Sequence, residues 1–596
     1  MRTSRKVALA LAIAGVALPA LGQDRPESIL PPGFGEPQPA PTPTATAAPR
    51  PAPPSGAVVQ PLPPSSATPA TTVAPSPTPT PSGTPTPAQL DPATLAYYEL
   101  PPFARRGTAT LGPLRGADGG FPADSFGQAD GRFLQTLMRR VAAPVPSRWL
   151  SITLRRLLVS ELDTPGRVNG ADFAAERAWL LLRMGEATAA RAVTQGVDTA
   201  DLTPKLYQVT LNALLASGDP AGMCPLAERG AAMTRERGWT AAQAICAGLD
   251  GEQSRAQTLV RQARNRGTAR GVDLLLAQKV IGAGAGGRES ITVEWTGVDT
   301  LTPWRFGLAT ATGVTLPEEL MAGVGPQVRY WQALSPAVAP HLRLASAESA
   351  AAQGVLSSAA LVDLYASLRG GDDTPAALDA SAETLRTAYV DRTADGRLAA
   401  MRRLWGEEAR VPYARLVLTA RAASRLPVRP EQAEADKLVA SMLSAGLDRT
   451  ALRWRAQVPS GGDAWAMLTL ADPDMTGQLT YSALASYAGT GDAARKQRLL
   501  FAGLAGLGRL SAEDIERAAQ ALDVRIGAEN SWTQALGRAA AAGQAGTVVL
   551  LCAAGMQTAD WQGVPPAALY RVVAALRAVG LAGEARMIAA EALARA

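Results

Sequence analysis

Three Gly-acid pairs, Gly185-Glu186, Gly218-Asp219 and Gly251-Glu252, follow one another at intervals of 33 residues. A fixed period of that length restricts a chain more than its composition does. One period holds two helices and a turn, and such a hairpin buries its apolar face only against the next hairpin. The third turn carries the most detail: Ala244 lies seven residues before Gly251, Ala256 five after and Ala263 twelve after. Small side chains at those offsets let two antiparallel helices approach closely. Ala178 and Ala190 stand at matching offsets around Gly185, and Ala585 and Ala592 around Gly580. At the second turn Leu211 and Met223 occupy the small positions, and later turns at Gly371-Asp372, Gly406-Glu407 and Gly491-Asp492 are irregularly spaced.

The offsets around Gly185, Gly251 and Gly580 resemble those of the tetratricopeptide repeat family, over about 120 residues. The resemblance implies an all-α fold, a helical-hairpin array or α-solenoid, with a concave surface available for binding. A non-repetitive helical array is the alternative. Apolar residues at three- and four-residue intervals in Phe133–Val141, Trp149–Leu162 and Phe173–Met184 predict helices by themselves. Only Ser290–Val298 (SITVEWTGV) looks strand-like. Two helical-repeat lobes are expected, over 94–345 and 346–596.

The chain begins differently. Arg2, Arg5 and Lys6 precede an apolar run from Val7 to Leu18, and Ala20-Leu21-Gly22 offers small residues for cleavage. Residues 1–22 therefore read as a secretory signal peptide, too short for a spanning helix. The expected location is the periplasm or the exterior. Residues 23–93 form a Pro/Ala/Thr-rich linker, with 20 prolines between positions 31 and 90. Such a tract cannot bury enough apolar surface to offset its ordering entropy, so disorder with polyproline II character is expected. Its composition is similar to antifreeze-type glycopeptides, but no tandem Ala-Ala-Thr repeat is present. The whole arrangement of leader, tract and helical body resembles secreted helical-repeat proteins of GC-rich Gram-negative bacteria. The segments that carry this likeness are Ser147–Arg156, Trp179–Glu186 and Ala575–Ala596. That resemblance brings no activity with it.

Composition removes several chemistries. A single His, His341, leaves no room for multi-His zinc sites, and a Ser-His-Asp or Cys-His arrangement would have to use it. Three thiols are too few for zinc ribbons or iron–sulfur clusters. The net charge of +6 falls to +3 once the three cations of the leader are removed. Arg outnumbers Lys 53 to 5, with no tandem longer than two, which reads as coding bias on a solvated helical surface. Nucleic-acid binding is not expected.

The remaining candidates are local. Cys224 and Cys246 flank a turn at Gly238-Trp239, with Pro225 placed to open a helix. A disulfide clamping this hairpin and a pair of buried thiols both fit. Ideal helices would leave the two cysteines offset by roughly 9 Å. Cys552, in an apolar run, reads as a small core residue. Gly282–Gly287 satisfies a G-x-G-x-x-G string but lacks the strand and helix that a dinucleotide site requires, and reads as a turn. Asp472, Asp474, Thr476 and Gly477 begin like a calcium loop, but the twelfth position is Ala483 instead of Glu. His341, just after two prolines, reads as an exposed turn residue. No catalytic, cofactor or metal residue is assigned, and no cofactor is expected. The expected function is a non-catalytic periplasmic scaffold binding an envelope protein or peptide. The alternatives are a glycan-processing protein like the lytic transglycosylases, or a purely structural wall-associated protein.

Overall fold

Residues 104–284, 291–407, 410–429 and 433–596 are described by a computed structural model. The leader and the Pro-rich linker lie outside the described residues. The rest is an all-α array, with 27 α-helices and one two-stranded antiparallel sheet among the described residues. In that sheet Leu111 pairs with Leu162. The expected strand-like segment forms none: Ile291–Val298 is irregular, and Lys279 Nζ donates to the Ile291 carbonyl at 2.9 Å.

Helix starts follow the local chemistry. Ser147, Asn169, Thr203, Thr302, Ser357 and Ser511 each accept a backbone N–H of the first turn with their side chains. Asn530 and Thr533 form a reciprocal capping box. Pro204, Pro303, Pro326, Pro340 and Pro566 occupy the first helical turn, where a missing N–H costs nothing.

Gly185, Gly251 and Gly580 reverse the chain between helices at φ +87°, +83° and +85°, where a Cβ would be strained. The helix pairs they join are Gly170–Arg183 with Ala187–Thr194, Arg237–Leu249 with Gln253–Arg266, and Pro566–Ala578 with Ala582–Arg595. Ala178, Ala190, Ala244, Ala256, Ala263, Ala585 and Ala592 are all buried, between those paired helices or against their neighbours. The turn at Gly218 differs. A 3₁₀ segment, Ala221–Leu226, follows it before the short helix Ala227–Met233. Pro225 lies inside that segment instead of opening an α-helix, and the bulky Leu211 and Met223 are buried where small residues stand elsewhere.

Two features were not legible locally. The expected lobe boundary at 345/346 falls inside the helix Pro340–Ala352, so the chain is not divided there. The ends of the described chain also meet: helices Ala545–Gly555 and Ala582–Arg595 pack on Arg148–Val159. The Glu591 carboxylate accepts from Ser147 Oγ at 2.6 Å and from the backbone N–H of Arg148 and Trp149 at 2.7 and 3.1 Å. It thereby caps a helix more than 440 residues earlier in sequence.

Buried arginines tie the helices together, contrary to the expectation of a solvated surface. A helix leaves its last carbonyls without partners, and a guanidinium offers five donors in a planar fork. Arg148 donates to the carbonyls of Ala351 and Ser444, at the ends of two other helices, and of Leu356 in the loop that follows the first of them. Arg177 donates to Leu158, Ser160 and Leu111, Arg183 to Met138 and Val141, and Arg509 to Thr469 and Leu470. Burial pushes the guanidinium of Arg148 down to about 10 and that of Arg177 to about 9. Both stay charged at neutral pH.

Candidate functional site

Five prolines between positions 303 and 340 cut this part of the chain into short helices that do not close over one another. Pro303–Ala311, Glu318–Ala322, Pro326–Leu334 and Pro340–Ala352 surround a cleft of about 550 Å³. That volume falls among those of ordinary ligand pockets, roughly 300–1,000 Å³. Val314, Leu316, Met321, Val338 and Leu342 supply its apolar wall, and Leu342 remains 49% exposed. Gln332 and Ser346 supply polar lining, with Ser346 Oγ donating to Gln332 Oε1 at 3.0 Å. Thr310 also lines it, 4% exposed, with a hydroxyl that finds no partner among the described residues. Such a group costs stability unless something bound satisfies it. Glu318 and Arg329 stand exposed at the rim, and Arg329 donates to the Ala322 carbonyl at 3.2 Å.

His341 belongs to this cleft. It is half-buried in the first turn of Pro340–Ala352, not in an exposed turn, because Pro340 starts a helix there. No hydrogen bond to a described residue orients its ring. The cleft can therefore enclose an apolar group and offer it a few polar contacts, while no described residue holds the imidazole for proton transfer. The cleft itself was missed in the sequence; its one local signal is the density of prolines.

Cys224 and Cys246 are joined, with Cα atoms 5.3 Å apart. The offset expected of two ideal helices does not arise, since Cys224 sits on the 3₁₀ segment and only Cys246 on an α-helix. The bridge closes a loop over a separation of 22 residues. Replacing both cysteines by serine is expected to remove roughly 3 kcal/mol, by the chain-entropy relation for that loop length. Urea unfolding with and without reductant checks this: wild type should shift under reductant and the double variant should not. Cys552 is fully buried, and burial pushes its thiol far above the ordinary range.

Gly282–Gly284 ends the helix Val272–Gly284, and Ala285–Gly287 lie outside the described residues. In the calcium-like stretch Asp472 pairs with Arg455 at 3.0 Å and Asp474 with Arg449 at 3.4 Å. No group of three or more His, Cys, Asp or Glu among the described residues is arranged to hold a metal ion.

One polar cluster has no sequence signature. Asp463 accepts from Lys496 Nζ at 2.8 Å, from Thr490 Oγ1 at 2.7 Å and from the Tyr487 hydroxyl. Burial opposes its charge, but these donors outweigh burial and hold the carboxyl below the usual range. Asp436 accepts from the Ala464 N–H at 2.6 Å and is pushed up, first by burial and then by the Asp463 charge. Asp463 has donors on both its oxygens, so the cluster reads as a pin through three helices, Ala435–Ser444, Asp463–Ala471 and Ala493–Gly506. Elsewhere Glu186, at the first Gly-acid turn, is pushed up to about 7 by burial, against the pull of Arg155 at 2.8 Å.

No known protein family, no curated protein and no solved structure matches this chain.

Proposed function

We propose that this chain is a non-catalytic binding scaffold of the bacterial envelope, exported by residues 1–22. Its cleft between Thr310 and Ser346 takes an apolar segment of an envelope protein or peptide. The observation that carries the reading is the cleft's construction: an apolar wall, a few polar groups and the unsatisfied Thr310 hydroxyl. The lone imidazole without an orienting partner and the saturated Asp463 support binding over catalysis. The Pro-rich linker acts in this reading as a spacer between the body and its surroundings.

Filling the cleft tests it. Ala345→Trp and Leu342→Asp change lining residues on the outer part of one helix, where the fold tolerates substitution. Crosslinked pull-down from periplasm, followed by titration of the recovered partner in vitro, should show affinity falling at least about tenfold for each variant. A linker-deleted chain should keep the same partner. Undiminished affinity in both cleft variants sinks the cleft assignment. Muropeptide release abolished by one carboxylate substitution would sink the scaffold itself in favour of a glycan-processing protein.

A further inference from the structure

The net charge of this protein is concentrated in one place. Residues 1–103 hold five basic and five acidic side chains, so the helical body carries the whole +6. Five arginines, Arg255, Arg261, Arg264, Arg266 and Arg270, fall within residues 253–272, where no Asp or Glu occurs. The remainder of the body is therefore close to neutral. Ala256, Val260 and Ala263 bury one face of the helix Gln253–Arg266, chiefly against Arg237–Leu249. All five arginines are exposed.

Their state differs from that of the arginines that tie the helices together. Arg148, Arg177, Arg183 and Arg509 are consumed by carbonyls, and Arg155, Arg156, Arg305 and Arg586 by carboxylates. Here Arg255 pairs with Glu252 at 2.9 Å and Arg261 reaches Thr258 Oγ1 at 3.0 Å. Arg264, Arg266 and Arg270 make no side-chain hydrogen bond or ion pair with a described residue. The negative end of the helix favours Arg264 and Arg266. It does not account for Arg255, Arg261 and Arg270, which lie outside the last turn.

We propose that the exposed face of Gln253–Arg270 docks the protein on an anionic phospholipid surface, lying on the headgroups without inserting. Lipid phosphate complements an unpaired guanidinium fork. The helix offers its partner no exposed apolar side chain: Val260 is buried and Leu259 half-buried. A protein partner would need an anchor to bury at the centre of the contact, and single-stranded nucleic acid would need aromatic platforms. This face supplies neither. It presents charge alone, which is what a surface of densely spaced phosphates requires. Among the described residues no helix is long and apolar enough to cross a membrane, so the contact is peripheral.

Co-sedimentation of the chain from Gln23 onward with vesicles tests this. Phosphatidylcholine vesicles containing phosphatidylglycerol should bind it, with affinity falling as salt is raised, and phosphatidylcholine alone should not. Each neutralised arginine should cost roughly fivefold, so the triple variant Arg261→Gln, Arg264→Gln, Arg266→Gln should lose roughly a hundredfold. Removing the same charge elsewhere, by Arg132→Gln, Arg140→Gln and Arg403→Gln, should leave most of the binding. Equal binding to neutral vesicles, equal loss in the two triple variants, or tighter binding to duplex DNA than to the anionic vesicles would each overturn the proposal. Matching thermal unfolding of the variants and wild type shows that any loss is one of contact and not of fold.

Discussion

Glu591→Ala is expected to destabilise the fold by about 3–5 kcal/mol, the range for breaking a buried charged network by removing one partner. The carboxylate is 3% exposed and has five donors around it. Two are backbone N–H groups at the start of Arg148–Val159, so the negative charge also complements the positive end of that helix. Removing it leaves those donors buried and the Arg595 guanidinium, 2.8 Å away, without its carboxylate. The helices that join the two ends of the described chain would then lose their polar link. Glu591→Gln keeps an acceptor without the charge and should fall between. Urea unfolding followed by tryptophan fluorescence reads the effect, since the backbone N–H of Trp149 and the indole N–H of Trp561 both donate to the carboxylate. A loss below about 1 kcal/mol would mean that water replaces the carboxylate without difficulty.

Arg177→Met should cost about 3 kcal/mol or more, although it removes a buried charge. Methionine fills similar space and escapes the desolvation that pushes the guanidinium down to about 9. It leaves the carbonyls of Leu158, Ser160 and Leu111 without partners, each worth about 1–3 kcal/mol when buried. Arg177→Lys should recover little, because an ammonium is a point charge that cannot span three carbonyls as the fork does. Equilibrium denaturation of the two variants decides between these terms. If Arg177→Met were as stable as wild type, desolvation would outweigh the carbonyl bonds, and the clamp would not be what holds the β-pair to its helix.

Much of the helical architecture was legible because its signals are local. Gly251 needs a left-handed turn, and Ala256 and Ala263 mark a buried face, all within a dozen residues. A bridge between Cys224 and Cys246 was one of two readings of the sequence, but the turn expected at Gly238-Trp239 lies inside the helix Arg237–Leu249, and the chain reverses before it, at Thr234–Glu236. The 3₁₀ segment that removes the offset depends on Met223 and Leu211 being packed where small residues stand in the other turns. His341 illustrates the opposite failure. Two prolines before it suggested an exposed turn, whereas Pro340 opens a helix that aims the ring at a cleft.

The sequence by itself determined the class of the fold and the places where helices start and reverse. Those properties arise from side-chain volume, backbone freedom and charge within a helical turn or two. Tertiary structure alone decided that the C-terminal helix caps an N-terminal one, that arginines become carbonyl clamps, and that prolines near 303–340 leave a cleft open. Glu591 and Ser147 are 444 residues apart, and Arg148 and Ser444 are 296 apart. No periodicity reaches over such separations. A guanidinium that covers helix ends and one that faces solvent are the same residue in sequence, and only the packing around each one separates them.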